Sequence, residues 1–401
     1  MSISQISVKQ NISAGVRVLD GFCGAGGSSA GLQAAGGEIA VAINHNKRSL
    51  ATHAANFPRA LHRVANIATE RPAEYPRTEV AWFSPECTMH STSRGIPLAA
   101  QGQLSLWTDR DDDPFVKRSR ATMWEVVRWT QSHRYEVVFV ENVPEVTLWH
   151  GYHAWLTSMD NLGYQYKTLC FNSMFAPPVP APVPQSRDRW YAVFWRKGIP
   201  APDLEIRPQA TCATCAMRVE AMQSWYNPAR RAGKYRRQYC YRCPHCLREI
   251  VPDYRPARSI LDFSLPMPPI GERARPLSHN TLAKIAEGIR RMEGEEYFIY
   301  SYYGNACYSR LDQPLGTCTS RDRHALIKVA PSGKLEECGY RLLTAEEIKK
   351  AMGFPASYIF ATGSRSEIIR QCGLAVTPAV AYELMTSILR SFGIERVNYA
   401  C

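Results

Sequence analysis

Short apolar runs alternate with amphipathic stretches over the first half of the chain. The apolar runs predict four strands, at residues 16–19, 38–44, 80–84 and 137–141. Residues 115–133 instead have helical spacing and place on one side Val116, Met123, Val126 and Val127. Because strands that alternate with helices form parallel sheets, the pattern predicts an α/β fold with helices on both faces of the sheet.

The alternation stops at a proline-rich stretch, with prolines at positions 177, 178, 180, 182 and 184. Such a density of proline predicts an extended, rigid connection. One more strand is predicted at residues 190–195, and residues 200–270 are then rich in Arg, Cys and Pro with little periodicity. Helical spacing returns at residues 282–292, 345–352 and 379–389. These changes divide the chain into segments 1–198, 199–339 and 340–401.

The net charge of the chain indicates what kind of partner it binds. The 401 residues include 48 basic and 36 acidic side chains, which gives a net charge of +12. Such an excess favours a polyanionic partner such as a nucleic acid, and a basic surface that serves only solubility is the alternative.

The expected cellular compartment decides which chemistry the cysteines can have. The first ten residues, MSISQISVKQ, lack the apolar core of a signal peptide, and no apolar run approaches the ~20 residues that span a bilayer. We therefore expect a cytoplasmic protein with no membrane partner. In a reducing compartment the 13 cysteines favour metal ligands, free thiols or a nucleophile over a disulfide framework.

A glycine-rich turn follows the first predicted strand. It reads Asp20-Gly21-Phe22-Cys23-Gly24-Ala25-Gly26-Gly27 and leads into a helix. Glycines let a ligand approach the backbone closely, and a helix N-terminus offers free N–H groups. The pattern fits a nucleotide-like cofactor, with a plain strand-to-helix turn as the alternative. At the end of the next strand, where nucleotide folds often place an acid, the chain has Asn44.

Three further segments carry polar residues at strand ends. Ser84-Pro85-Glu86-Cys87 follows one strand, Glu141-Asn142-Val143-Pro144 ends another, and Gln185-Ser186-Arg187-Asp188-Arg189 leads into a third. Parallel-sheet enzymes gather such strand ends around one crevice.

In this order the segments resemble the motifs of the DNA (cytosine-5)-methyltransferases. Residues 341–355 resemble the ninth motif of that family, and residues 371–378 resemble its last motif. The resemblance covers about residues 16–195 and 340–392. It implies a Rossmann-like, S-adenosyl-L-methionine (AdoMet)-dependent domain that methylates carbon 5 of cytosine in double-stranded DNA after base flipping.

The resemblance also assigns roles to side chains. Cys87 would be the thiolate that adds to carbon 6, and Glu141 would hydrogen-bond or protonate the ring at N3. Arg189 would hold the base carbonyl and orient the glutamate, with Arg187 nearby. Residues 88–113 would close over the flipped base. The implied cofactor-binding residues are Phe22, Cys23, Gly24, Gly26, Gly27, Asn44, Asn66, Ile67, Ser84, Pro85, Leu374 and Val376.

The sequence departs from the family at several of these positions. Glu86 stands where a proline usually precedes the nucleophile, and Thr88 replaces the usual glutamine after it. Asn44 and Asn66 replace two acids, and Leu374 replaces an asparagine. These changes bear on the affinity and identity of the cofactor more than on the nucleophile.

Two C-x2-C pairs lie in the irregular segment, with 27 residues between them. The four thiols that they supply suit a tetrahedral zinc ion, and the predicted ligands are Cys212, Cys215, Cys243 and Cys246. Cys240 leaves the ligand set ambiguous. Residues 230–248 hold seven basic side chains and no acidic ones. Interleaved with Tyr235, Tyr239 and Tyr241, they suit phosphate contacts and base stacking, with a solvated loop as the alternative.

Together these features predict three regions. Residues 1–198 would bind cofactor and cytosine, residues 199–339 would recognise the target and carry the zinc insert at about 205–258, and residues 340–401 would return to the first region. We expect a monomer in a bacterial cell, encoded by chromosome or phage, that binds double-stranded DNA. A cognate restriction system is an open possibility. The rival functions are methylation of RNA cytosine, transfer from an AdoMet-like donor, and catalytically silent DNA binding.

Overall fold

The computed structural model describes residues 15–86, 114–176, 182–303, 305–361 and 363–393. The strands of the main sheet are β1 (Val16–Gly21), β2 (Gly37–Asn44), β3 (Leu61–Val64), β4 (Val80–Phe83), β5 (Val137–Asn142), β6 (Tyr164–Asn172) and β7 (Asp188–Arg196). The seven strands lie in the order β3-β2-β1-β4-β5-β7-β6. The first five are parallel, and β7 runs antiparallel to both of its neighbours.

The parallel strands form the centre of the core. Val18, Leu19, Ala81 and Trp82 are fully buried because helices cover both faces of the sheet. Strands that are buried on both sides need continuous apolar runs, which is why the sequence predicted them correctly. The α/β prediction is thereby confirmed.

Helices flank this sheet. They are α1 (Gly27–Ala34), α2 (Lys47–Asn56), α3 (Pro114–His133) and α4 (Tyr152–Asn161). The last helices along the chain are α6 (Ala345–Ala351), α7 (Arg365–Leu374) and α8 (Pro378–Ser391). Helix α8 packs directly on α1, where a Cβ atom at Gly31 would overlap the backbone oxygen of Pro378. The end of the chain therefore closes against the helix that follows the glycine-rich turn.

The sheet departs from the parallel arrangement at one strand, β7, which is second from its edge. Strand β7 turns back beside β5, with Glu141 opposite Tyr191 and Asn142 opposite Trp190. Its N-terminal end therefore lies at the same edge of the sheet as the carboxyl ends of the parallel strands. This explains why two of the polar segments end strands while the third begins one.

Residues 209–250, which we call the cysteine unit, form two small sheets. Their strands are β8 (Gln209–Cys212), β9 (Met217–Glu220), β10 (Met222–Trp225), β11 (Tyr239–Arg242) and β12 (Glu249–Ile250). A larger antiparallel sheet follows, in the order β14-β13-β15-β16, and packs against helix α5 (His279–Arg291). Its strands are β13 (Tyr297–Tyr303), β14 (Asn305–Arg310), β15 (His324–Lys328) and β16 (Gly339–Leu342).

One stretch, Arg365–Ser391, is long and apolar enough to cross a membrane by those two criteria alone. It comprises α7 and α8, and 83% of its most apolar window is buried inside the protein. Core helices of a folded domain satisfy the same criteria.

Candidate active site

The segment before Cys87 lies at the carboxyl end of β4. The Ser84 N–H donates to the Gly21 carbonyl oxygen over 3.2 Å, which ties this segment to the glycine-rich turn. Glu86 Oε1 lies 3.9 Å from His45 Nδ1, beyond the end of β2. Cys87 itself and residues 88–113 lie outside the described residues.

Glu141 and Arg189 form an ion pair beside that segment. Arg189 Nε lies 2.9 Å from Glu141 Oε1, and the two side chains are only 16% and 13% exposed. Arg189 Nη1 also donates to the backbone oxygen of Asp188 over 2.8 Å. Glu141 is opposite Tyr191 in the sheet, so Arg189 is its diagonal neighbour on the same face. The arginine therefore holds the carboxylate in one orientation.

Asn142 connects the two segments. Its side-chain oxygen accepts from the Val143 N–H over 2.8 Å, and its amide nitrogen contacts the Pro85 carbonyl oxygen at 3.4 Å. The glutamate strand and the segment that precedes Cys87 are thereby held side by side.

Arg187, which the sequence grouped with the catalytic residues, lies near this pair but makes its hydrogen bonds to other segments. It is buried, and its guanidinium donates to the backbone oxygens of Cys318 at 2.8 Å and Gly373 at 2.9 Å. Burial lowers its pKa to about 10, the repulsion of Arg189 adds to this effect, and Glu141 opposes it. Arg187 thereby connects the residues before β15 to the end of α7.

The glycine-rich turn bends sharply between β1 and α1. Phe22 and Gly24 both have left-handed backbones, at φ 63° and 54°. A Cβ atom at Gly24 would meet nothing within 4 Å, so the backbone there faces open space. Behind the turn, the Cys23 N–H donates to the Ile43 carbonyl oxygen over 3.2 Å. The turn therefore presents bare backbone to a crevice at the carboxyl edge of the sheet.

A sequence model of the family described as C-5 cytosine-specific DNA methylase matches residues 16–390. The chain belongs to this family. Its members transfer a methyl group to carbon 5 of cytosine, and AdoMet is the expected donor. Among curated proteins, no sequence matches the chain at a significant level.

Solved structures resemble this methylase in fold. Dnmt2 methyltransferase of S. pombe has a TM-score of 0.56 and 14% identity, covering 94% of this chain and 98% of that one. Entamoeba histolytica methyltransferase EhMeth has a TM-score of 0.56 and 13% identity, and the match covers 94% of this chain and 98% of that one. A putative DNA modification methyltransferase encoded within an E. coli prophage has a TM-score of 0.53 and 15% identity, and the match covers 94% of this chain and 99% of that one. At these identities the likeness concerns the fold alone.

The backbone of the glycine-rich turn leaves room for AdoMet. Gly24 leaves room for a ligand, and α1 begins just behind it with the left-handed Gly26 as its N-cap. Gly27 passes so close to residue 376 that a Cβ atom would overlap the backbone oxygen of Val376. Cys23, Ile67, Pro85 and Val376 are buried, while Phe22 and Ser84 are half-buried.

Three of the residues that depart from the family lie at or just after the ends of β2, β3 and α7. Asn44 Oδ1 accepts from the Asn46 N–H over 2.8 Å, and Asn66 Oδ1 accepts from the Ala68 N–H over 3.1 Å. Both oxygens thus serve local turns. Leu374, at the end of α7, is 56% exposed. Asn44 and Asn66 thus place neutral side chains where the family usually has acids, and Leu374 stands where it usually has an asparagine.

A buried polar chain beneath the turn was missed by the sequence interpretation. Asp20 Oδ2 accepts from the hydroxyls of Ser28 and Ser29, both over 2.6 Å. Ser29 Oγ lies 2.9 Å from His53 Nε2, and His53 Nδ1 lies 2.9 Å from His62 Nε2. These residues come from four different elements, β1, α1, α2 and β3, so no single local pattern in the sequence indicates the chain.

Burial shifts the titration of this chain in opposite directions. Burial raises the pKa of Asp20 to about 6, although the serine hydroxyls oppose the shift. Burial lowers the pKa of His53 to about 3, and the neighbouring His62 lowers it further. His53 is therefore neutral over the physiological pH range, and the protonation of Asp20 begins at a higher pH than for an ordinary aspartate.

The four predicted metal ligands come together in the cysteine unit. The sulfur atoms of Cys212, Cys215, Cys243 and Cys246 all lie within 4.8 Å of one another. Cys240 is outside this cluster and is buried in β11, which resolves the ambiguity in the ligand set. Four thiols at this separation can hold one tetrahedral metal ion.

The prediction that the tyrosines of this unit stack on bases was wrong for two of them. Tyr239 and Tyr241 are completely buried and form the core of the unit against Phe175. The Phe175 ring lies 5.1 Å from that of Tyr241 and 4.9 Å from that of Tyr235. A small domain needs its large aromatic side chains for its own core. The arginines remain available, with exposed side chains at Arg230, Arg231, Arg236, Arg237 and Arg248.

Proposed function

We propose that the chain transfers the methyl group of AdoMet to carbon 5 of cytosine in double-stranded DNA, with Cys87 as the nucleophile. The observation that supports this best is the Glu141–Arg189 ion pair, at 2.9 Å, beside the segment that leads to Cys87. A carboxylate held by an arginine beside a thiol provides, in one place, the groups that the addition to cytosine requires.

Each side chain has a distinct task in this proposal. Carbon 5 of cytosine is a poor nucleophile, and addition of the Cys87 thiolate to carbon 6 converts the ring into an enamine. Glu141 contacts N3 and stabilises the charge that develops there, while Arg189 orients the carboxylate and holds the base carbonyl. AdoMet, when bound, supplies the electrophilic methyl group. Loss of the proton from carbon 5 then releases the thiol.

The basic surface supports DNA as the substrate. The net charge of +12 and the exposed arginines of the cysteine unit favour a polyphosphate partner. Since the target carbon lies inside the duplex, the cytosine must be flipped into the crevice. Matched DNA and RNA duplexes, assayed side by side for transfer, separate this substrate from the rival RNA cytosine.

The cysteine cluster supports a structural zinc ion. Four thiolate ligands leave no open position on a tetrahedral metal, so the ion would stabilise the cysteine unit and take no part in the chemistry. The unit would present its arginines to phosphate beside the target base.

The test of the function is Cys87→Ala, which should abolish transfer while DNA binding persists. Cys87→Ser should also fail, because a hydroxyl is a far weaker nucleophile than a thiolate. A duplex that contains 5-fluorocytosine should trap the wild-type protein covalently, since fluorine blocks release. Trapping that survives in Cys87→Ala would refute the assignment of the nucleophile, and absence of transfer by the wild type would favour a silent DNA-binding protein.

A second candidate keeps the fold and changes the donor. The exposed Leu374 and the neutral Asn44 favour it, because they remove polar and charged groups from the crevice. Mass spectrometry of nucleosides from cells that express the chain decides between the two. Only 5-methylcytosine would exclude an altered donor, whereas a heavier cytosine adduct that requires Cys87 would establish one.

A further inference from the structure

The cysteine unit is attached to the catalytic strands at Asp188. This residue stands between Arg187 and Arg189, at the start of β7. Its Oδ1 accepts from the Tyr235 N–H over 3.0 Å and from the Tyr239 hydroxyl over 3.0 Å. Both donors belong to the cysteine unit.

A second attachment lies on the other side of the catalytic pair. Lys234 Nζ of the unit lies 3.1 Å from Glu145 Oε1, four residues after Glu141. Cys170 Sγ in β6 also contacts the Gly233 carbonyl oxygen at 3.1 Å. The unit therefore contacts the strand that carries Arg189 and the turn that follows Glu141.

The contacts continue from Asp188 to the reacting end of the site. The backbone oxygen of Asp188 accepts from Arg189 Nη1 over 2.8 Å, and Arg189 Nε pairs with Glu141 at 2.9 Å. At the other end, β11 carries Tyr239 and ends directly before Cys243, one of the four clustered thiols. A continuous set of contacts thus joins the metal ligands to the catalytic carboxylate.

We propose that Asp188 is a positioning residue through which the metal-bound cysteine unit fixes the Glu141–Arg189 pair. The unit then acts on the rate of transfer as well as on DNA binding. The inference rests on the proposed function for its kinetic consequence, while the structural coupling is independent of it.

The experiment measures hydrogen exchange and kinetics on the full chain. Removing zinc with a chelator should increase exchange in the cysteine unit and also in peptides that cover residues 187–191 and 141–146. Asp188→Ala should raise exchange in those two peptides while zinc stays bound. Its single-turnover transfer rate should fall ~10-fold or more, as misplacement of a positioning group does, with the Kd for DNA within about threefold of wild type.

Two further variants separate positioning from folding and from charge. Asp188→Asn keeps an oxygen acceptor for both donors and should restore most of the rate. Asp253→Ala, the control, removes an exposed carboxylate that lies just after the cysteine unit and pairs with Arg218 of the unit, and it should leave the rate and both peptides unchanged. If Asp188→Ala does not fold, Tyr239→Phe removes one donor and should give a smaller change in the same direction.

The results distinguish this inference from the proposed function. Zinc removal that loosens the unit and leaves residues 187–191 protected would overturn the inference. So would an Asp188→Ala protein that binds DNA more weakly but transfers at the wild-type rate. If no protein transfers a methyl group while exchange is coupled, the proposed function fails and the structural coupling stands.

Discussion

The glycine-rich end of the sheet and the cysteine unit are stabilised in different ways. Helices α1 and α8 pack at backbone contact beside the turn, and the strands beneath them are fully buried. The cysteine unit has a small apolar cluster, to which the catalytic domain contributes Met174 and Phe175. A region with a large core tolerates buried polar groups, whereas a small one needs a metal ion and a neighbour to stay folded.

Removing the metal should give the largest effect, and should affect only one of these regions. We expect one zinc ion per chain, and structural zinc contributes on the order of 10 kcal/mol to the folding of small units. The cysteine unit should therefore unfold on chelation while the main sheet stays folded. Thermal unfolding and elemental analysis of anaerobically purified protein test this.

Cys240→Ser is the matched control for the metal. Cys240 belongs to the same unit but lies outside the four-thiol cluster, so its variant should keep the zinc that Cys243→Ser loses. Protein without stoichiometric metal, or equal loss in both variants, would contradict the assignment.

A substitution that crowds the glycine-rich end of the sheet should destabilise the main sheet and leave the metal in place. In Gly31→Ala the new methyl group would overlap the backbone of α8 at Pro378, which cannot move as a side chain can. We expect a loss of ~3 kcal/mol in the free energy of unfolding, the upper part of the usual range for overpacking. Chemical denaturation with zinc analysis measures both quantities.

Gly163→Ala separates crowding from backbone strain. Gly163 has φ 92°, but a Cβ atom there would meet nothing within 4 Å. Gly163→Ala should lower the free energy of unfolding by ~1 kcal/mol, because of the left-handed backbone alone. Equal losses in the two variants would mean that close packing of α8 on α1 is not what stabilises this end of the sheet.

The same contrast explains what the sequence could predict. The buried parallel strands and the long helix at residues 115–133 have strong local patterns and were found. Strand β6 was missed because five of its nine residues, YQYKTLCFN, are exposed or half-buried, so its sequence holds no continuous apolar run. The direction of β7 depends on pairing with β5, and no local pattern records it.

Motifs located the site residues, and their roles depended on distant contacts. Spacing alone grouped the four cysteines correctly. The difference between Arg187 and Arg189 arises from partners elsewhere in the chain, such as Cys318 and Gly373. Asp188 received no role, because its donors Tyr235 and Tyr239 lie 47 and 51 residues away.

Titration should distinguish the polar chain beneath the turn from the rest of the molecule. The pKa of His53 is about 3 when folded, against an ordinary 6.5, so its stabilisation is present above pH 6.5 and is lost as the pH falls. The pKa of Asp20 is about 6 when folded, against 3.8, so its contribution is present below pH 3.8 and is lost as the pH rises through 6. Between pH 7.5 and pH 5, the free energy of unfolding should therefore fall by about 2 kcal/mol through His53 and rise by about 1 kcal/mol through Asp20.

Two variants should therefore change the pH dependence in opposite directions. His53→Gln should reduce the loss of stability on acidification, and Asp20→Asn should increase it. Denaturant unfolding at pH 5 and pH 7.5 measures the difference. Shifts of the same sign in both test variants would contradict the assignment.

The smallest expected effect concerns the cofactor crevice and sharpens the question of the donor. Asn44→Asp keeps the oxygen that accepts from the Asn46 N–H, so the local turn should persist while a negative charge is added. A hydrogen bond to a charged group contributes ~1.5–3 kcal/mol against ~1 for a neutral one, so AdoMet should bind roughly fivefold more tightly. A sulfonium donor that carries an extra carboxylate should instead bind more weakly, because the new charge repels it. Calorimetric titration of both ligands into the wild type and Asn44→Asp decides the point. If Asn44→Asp leaves both affinities unchanged, the end of β2 does not contact the donor, and the neutral residue there carries no information about the group that is transferred.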